Sequence, residues 1–324
     1  MKALLCKAFG PPSSLVVETL DEPEPAAGEV VIDVKAAALN FFDTLIIENK
    51  YQFRPDLPFS PGAEMAGIVR RTGAGVASVI PGDRVTGYLK WGCVREVVTA
   101  PEVALVKIPE AIGFVEAAGL SVTYGTSLHA LRDRANLQPG ENVAVLGASG
   151  GVGQSAMEIA KAMGARVIAC ASSDEKLAFC REHGADETVN YATEDLKNRL
   201  KDLSGGDGID VVYDPVGGSH AEQALRALGW EGRFLVIGFA GGEIPKIPLN
   251  LPLLKGCDIR GVFWGAAIQR NPDQHRANMR QILDWVEEGA IKPHIHATYT
   301  LNEATNALQD LADRKVKGKA VVTF

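Results

Sequence analysis

A chain of 324 residues is long for one hydrophobic core and suggests two domains. Its 33 basic and 40 acidic residues give a net charge of −7, spread without blocks, which supplies no electrostatic reason for a nucleic-acid or anionic-membrane partner. The N-terminus, Met1-Lys2-Ala3-Leu4-Leu5-Cys6-Lys7, meets charge too soon for a signal peptide, and no window reaches the roughly 18 uncharged apolar residues of a membrane helix. A cytoplasmic protein is expected.

The first 120 residues carry short strand-like runs, Val30–Lys35, Ala66–Arg71 and Val94–Thr99, punctuated by Pro11-Pro12, Pro23, Pro25, Pro61-Gly62 and Pro81-Gly82-Asp83. Such punctuation predicts a β-rich, barrel-like or irregular α+β domain. From about residue 142 to 264 the pattern changes to β/α alternation, the signature of a parallel sheet wound with helices. Its apolar runs are Asn142–Gly147, Arg166–Ala171, Thr188–Tyr191, Ile209–Asp214, Arg233–Phe239 and Asp258–Trp264. The helical patterns between them are Gly151–Met163, Asp174–His183, Glu194–Leu203 and Ser219–Leu228. Ser173 or Asp174 can cap the second of these, and Gly184 follows its end. After residue 265 come a long helix (about Asp273–Glu288), a short strand, a helix near Leu301–Ala312 and a closing strand, Lys319–Phe324. That tail is too small to fold alone and is expected to complete the N-terminal domain. The expected division is therefore 1–120 completed by 266–324, with 121–265 as the second domain.

The run Val143-Ala144-Val145-Leu146-Gly147-Ala148-Ser149-Gly150-Gly151-Val152-Gly153-Gln154 enters a glycine-rich turn from a strand and leaves it as a helix. Gly150 lets backbone approach a pyrophosphate, Gly153 lets the helix pack on the strand, and helix amides face the phosphates. Ala148 replaces the first glycine of the usual fingerprint, but the strand before and the helix after support a Rossmann-type dinucleotide site. Cofactor choice is read one strand later. Strand Arg166–Ala171 ends in Ala171-Ser172-Ser173, with no acid at its tip to hold a ribose diol, while Lys176 lies one turn on. These groups suit a 2′-phosphate, so NADPH is expected over NADH. Asp174 sits inside the helix start, where capping accounts for it. The five cysteines, Cys6, Cys93, Cys170, Cys180 and Cys257, are scattered, as expected of buried reduced thiols.

Several motifs together resemble the medium-chain dehydrogenase/reductase superfamily in its zinc-free, zeta-crystallin-like quinone oxidoreductase branch. They are Ala38-Leu39-Asn40-Phe41-Phe42-Asp43, Pro61-Gly62-Ala63-Glu64-Met65-Ala66-Gly67, Pro81-Gly82-Asp83-Arg84-Val85, the turn at 147–153, Val212-Tyr213-Asp214-Pro215-Val216-Gly217-Gly218 and Gly261-Val262-Phe263-Trp264-Gly265. The resemblance covers essentially the whole chain. It implies a GroES-like catalytic domain beside the Rossmann domain. Zinc-dependent members place a Cys where this chain has Asn40 and a His where it has Ala63, and their second Cys, near Gly119–Val122, and their four-cysteine lobe are absent. An open catalytic zinc needs three protein ligands, so the resemblance implies chemistry without metal.

It further implies that Asn40 and Asp43 line or support the nicotinamide side and that Tyr51 lies near substrate. Thr126 would contact the carboxamide end, Ser149, Gly150, Gly151, Val152 and Gly153 the pyrophosphate. Ser172, Lys176, Tyr191 and Arg314 would surround the 2′-phosphate, and Gly238 with Phe239 would cover the nicotinamide. None of the six histidines lies in a matched motif, and His294 and His296 read as strand or surface residues. Trp91-Gly92-Cys93-Val94-Arg95 departs from the family pattern; Trp91, Tyr88 and Trp264 could form an aromatic wall, though core packing serves Trp264 equally. The implied reaction is hydride transfer from NADPH to a quinone or α,β-unsaturated carbonyl. Separately, the run Asp258–Trp264 would leave an apolar strand at the edge of the second domain's sheet, so a homodimer that joins two such strands is expected. Two rival readings are an enoyl-thioester reductase, with Arg54, Lys90 and Arg95 as a basic entrance, and a non-catalytic NADPH-binding protein with a structural or RNA-binding role.

Overall fold

The computed structural model describes all 324 residues as two compact units. The first comprises Met1–Val122, Met279–Glu287 and Pro293–Phe324; the second comprises Thr123–Asn278 and Glu288–Lys292.

The first unit is built on a seven-stranded sheet. Its path runs Ile295–Thr300, Lys319–Thr323, Glu29–Leu39, Glu64–Thr72, Arg84–Tyr88 and Leu105–Lys107, and Val97–Pro101 also pairs with Glu29–Leu39. All pairings are antiparallel except that of Ile295–Thr300 with Lys319–Thr323. The long central strand buries Val30, Ile32, Val34 and Ala37 against Met65, Val85 and Val322. The expected Val94–Thr99 strand is shifted to Val97–Pro101, because Cys93 and Val94 instead bond the backbone of Gly62 and Pro61. The helix Phe41–Ile47 leaves the central strand directly, and its first turn is tied by Asn40 N donating to Asp43 Oδ2 at 2.7 Å. A chain end thus supplies an interior strand, since Lys319–Thr323 lies beside Glu29–Leu39.

The second unit is a six-stranded, wholly parallel sheet. Its spatial order is Glu187–Asn190, Arg166–Ala171, Asn142–Leu146, Ile209–Asp214, Leu228–Val236, Asp258–Gly261. Numbered within the unit this is 3-2-1-4-5-6, the doubly wound order that places ligands at the switch point between the first and fourth strands. Ala144, Leu146, Ile168, Val212 and Phe234 fill the core on one face with Leu196, Leu200 and Leu225 from the helices. The expected run Arg233–Phe239 begins five residues earlier, at Leu228, and ends at Val236. The expected Asp258–Trp264 strand stops at Gly261, because the helix Trp264–Arg270 begins three residues later. No helix is long and apolar enough to cross a membrane.

Candidate active site

In the second unit the glycine turn explains its own imperfect fingerprint. The left-handed residue is Gly147, at φ 58°, so Ala148 needs no unusual conformation. Ala148 is buried, and its N–H donates to the carbonyl of Cys170 on the neighbouring strand. The helix Gly151–Ala162 then starts with Gly150 as an extended N-cap that has no side chain to occupy the first helix amides. A Cβ added at Gly150 would meet only the Gly147 carbonyl at 3.5 Å, whereas one at Gly153 would sit 2.7 Å from Ala148 Cα. The turn is thus closed on its strand side and open before the helix amides, the shape a pyrophosphate requires. Ser149 is buried in the turn and Thr126 half-buried on the helix Thr123–Leu128.

At the tip of the second strand Ser172 is exposed, and Ser173 caps the helix Asp174–Glu182 by accepting from Lys176 N. Asp174 is turned away to the next strand, where Asn190 Nδ2 donates to its Oδ1 at 2.9 Å. The Tyr191 ring lies 4.4 Å from that of His220. Gly238 and Phe239 follow the fifth strand, with Ile237 and Gly238 N–H groups directed at the Asp214 carbonyl. Arg314 belongs to the first unit, exposed just beyond the helix Ala304–Ala312.

The turn's helix also carries a buried acid that sequence motifs pass over. Glu158 accepts from the Tyr124 hydroxyl at 2.7 Å and from Gln154 Nε2 at 3.3 Å. Burial raises its carboxyl from the usual 4.5 to about 7, with the Tyr124 hydrogen bond pulling the other way. Because the folded pKa lies above the unfolded one, this stabilisation is complete below about pH 4 and is lost as pH rises through 7. The change is at most about 3 kcal/mol at 1.36 kcal/mol per pKa unit. Glu158→Gln is expected to flatten the fall in urea-unfolding midpoint between pH 5 and 8. An unchanged slope in that variant would show that Glu158 is not one of its sources.

In the first unit, Asn40, Asp43, Glu64 and Lys319 are brought together. The Lys319 side chain is 2% exposed and that of Glu64 0%. Lys319 Nζ donates to Glu64 Oε1 at 2.8 Å, Asn40 Oδ1 at 2.7 Å and the Leu39 carbonyl at 3.1 Å. Asn40 Nδ2 donates to the same Glu64 oxygen at 2.9 Å, and the other Glu64 oxygen accepts from Val122 N at 2.7 Å. Asp43 accepts from the Asn40 and Gly62 amides. Burial pushes its carboxyl up to about 7; those amides and Lys319 draw it down, and Glu64 adds to the rise. Sequence reasoning missed Lys319. Its only signal was a lysine at the start of an apolar closing strand.

The Tyr51 ring stacks on Phe42 at 5.3 Å and meets Phe53 edge-on at 5.6 Å, and Phe53 lies 6.5 Å from Trp91. Burial, and secondarily the Asp43 charge, raise the Tyr51 hydroxyl pKa. Trp264 is a core residue of the second unit, packed on Gly125 and edge-on to His275. Of the basic-entrance candidates, Arg54 is exposed and Lys90 lies over the Phe53 ring, whereas Arg95 is half-buried with its Nε unpartnered. His296 is exposed on the strand Ile295–Thr300. No group of three or more His, Cys, Asp and Glu side chains gathers where it could hold a metal ion. The two donors nearest the expected metal position, Asn40 and Glu64, are both engaged by an ammonium group, so they do not fit a zinc ion.

A doubly wound sheet with a dinucleotide turn in one unit, and a buried polar cluster in a second, β-rich unit, together define the class of the dehydrogenases and reductases. Residues 26–110 match the alcohol dehydrogenase GroES-like domain, and residues 151–288 match the zinc-binding dehydrogenase family. The chain is 39% identical to the Bos taurus quinone oxidoreductase-like protein 2, over 100% of this chain and 92% of that one. The solved structure of Escherichia coli quinone oxidoreductase complexed with NADPH is 29% identical, with a TM-score of 0.92 and 100% of both chains covered. That of the CurK enoyl reductase is 28% identical, with a TM-score of 0.89, covering 99% of this chain and 98% of that one. The chain belongs to the quinone oxidoreductase branch of the medium-chain dehydrogenase/reductase superfamily.

Proposed function

We propose that this enzyme transfers hydride from NADPH to a quinone or an α,β-unsaturated carbonyl without a metal ion. The observation that carries this reading is the buried Lys319 ammonium bound to Asn40 and Glu64. A Lewis acid is what makes an alkoxide accessible in alcohol oxidation. Where the remaining donors hold an ammonium instead, an electrophile already activated by conjugation is the better acceptor. The second unit serves as the dinucleotide-binding domain, with Ser149–Gly153 at the pyrophosphate and Ser172, Lys176 and Tyr191 at the 2′-phosphate. Bound there, the cofactor supplies the hydride. Asn40 and Asp43 support the reacting end, and the proton comes from water or from a weak donor such as Tyr51, whose hydroxyl pKa is raised by burial and secondarily by the Asp43 charge. The Tyr51, Phe53 and Trp91 rings suit a flat acceptor. Steady-state NADPH oxidation against quinones, enones and enoyl thioesters tests the assignment, with zinc measured on the same protein. Stoichiometric, activity-linked zinc, or turnover with alcohols alone, would overturn it.

Enoyl-thioester reduction is the second reading, supported by the likeness to CurK enoyl reductase. It is weakened by the partial burial of Arg95, the least accessible of the three cations suggested for a CoA phosphate.

A two-fold dimer is part of the proposal. The strand Asp258–Gly261 ends its sheet and pairs with no strand other than Leu228–Val236. Ile259 on it, with Trp230, Leu249, Leu253, Leu254 and Phe263 in the same unit, is exposed. An unpaired sheet edge flanked by exposed apolar side chains pairs or aggregates, and a second copy of the same strand closes it symmetrically. Light scattering is expected to give twice the chain mass, and Ile259→Asp a monomer. A wild-type monomer at micromolar concentration would refute this.

A further inference from the structure

The amide of Asn40 can be oriented in two senses, and its neighbours allow only one. An ammonium group only donates hydrogen bonds, and a carboxylate only accepts them. Lys319 Nζ therefore faces the Asn40 oxygen, at 2.7 Å, and Glu64 Oε1 faces its nitrogen, at 2.9 Å. Reversing the amide would set NH₂ against ammonium and carbonyl against carboxylate, both repulsive in a site where the two charged side chains are 2% and 0% exposed. The ammonium is itself located by contacts at both ends of its chain. Its stem packs on Gly119, where an added Cβ would come within 3.2 Å of Lys319 Cγ, and its head is held by Glu64 and the Leu39 carbonyl. Glu64 is anchored in turn by the Val122 amide.

We propose that Lys319 is a positioning residue that locks Asn40 as a hydrogen-bond donor. The second amide hydrogen of Asn40 is thereby directed at the oxygen on which negative charge develops as hydride reaches the conjugated acceptor. The inference rests on the reductase reading above and adds to it a residue from the closing strand. A preorganised donor of this kind acts without reorganising during the reaction, and losing one lowers kcat by roughly two to three orders of magnitude. Losing only its orientation removes part of that.

The test uses the NADPH-loaded enzyme and a quinone. Lys319→Met removes one of the two groups that fix the amide and leaves the Glu64 carboxylate as the other. Its kcat is therefore expected to fall roughly three- to tenfold with NADPH affinity unchanged, and further in a variant that also neutralises Glu64. Lys319→Met also strands the buried Glu64 carboxylate, so Lys319→Met/Glu64→Gln is measured beside it. The double variant is expected to recover thermal stability but not kcat, since an amide with neutral neighbours has no enforced sense. In Lys319→Ala, added ethylammonium is expected to raise kcat saturably, whereas tetramethylammonium, a cation with no N–H, is not. Recovery of kcat together with stability in the double variant would reduce Lys319 to a structural role and overturn the inference, as would full activity in Lys319→Met. A wild-type enzyme inactive toward every quinone and enone removes the reductase reading itself and this inference with it; an active wild type with active Lys319 variants removes only the inference.

Discussion

Gly153→Ala is expected to abolish NADPH binding at micromolar concentrations while the first unit stays folded. The new Cβ would meet backbone, not a flexible side chain: Ala148 Cα at 2.7 Å and the Gly147 carbonyl closer still. Backbone cannot yield without moving the turn, and the turn is pinned by Ala148 N bonding to Cys170 on the adjacent strand. Overpacking a well-filled site costs about 1–3 kcal/mol, and here that strain falls on the segment that must present its amides to a pyrophosphate. At about 1.4 kcal/mol per tenfold, a lost pair of charge-assisted contacts of roughly 1.5–3 kcal/mol each weakens binding by at least a hundredfold. Titration by NADPH fluorescence, with circular dichroism as the folding control, reads this directly. An affinity within threefold of wild type would show that the turn does not hold the cofactor.

Lys176→Ala is expected to weaken NADPH by about one to two orders of magnitude and NADH hardly at all. A charge-assisted contact to the 2′-phosphate contributes roughly 1.5–3 kcal/mol, and NADH lacks that phosphate. Competition from Asp174 is small, because Asn190 holds that carboxylate against the next strand. Ser172→Asp goes further: on the exposed tip of the strand it repels the phosphate and offers the ribose diol an acceptor, so it should invert the preference. Equal losses for both cofactors in Lys176→Ala would mean that the lysine supports the helix instead of reading the phosphate. A wild-type preference for NADH would refute the cofactor assignment.

What the sequence by itself determined is what repeats locally. The β/α alternation from Asn142 onward, the glycine turn and the caps of its helices all follow from periodicity and backbone conformation within a few residues. Ser173 accepts from Lys176 N as its position at the helix start requires. Where local pattern is ambiguous the boundaries moved: an apolar run at Asp258 reads as strand through Trp264, but only packing decides that Trp264 turns inward and starts a helix. The apparent defect in the fingerprint, Ala148, is resolved by the φ of Gly147, which composition does not reveal.

The candidate site in the first unit was half legible. Asn40 and Asp43 sit in a recognisable motif, and the helix they begin ties Asp43 to the Asn40 amide. The lysine that bonds the Asn40 side chain lies 279 residues from it in the chain. Only the insertion of the closing strand beside Glu29–Leu39 brings the Lys319 ammonium to Asn40 and Glu64. A lysine in an apolar strand reads locally as an exposed side chain with a solvated head. Burial reverses that reading, because an ammonium removed from water must find acceptors, and the tertiary structure alone provides them.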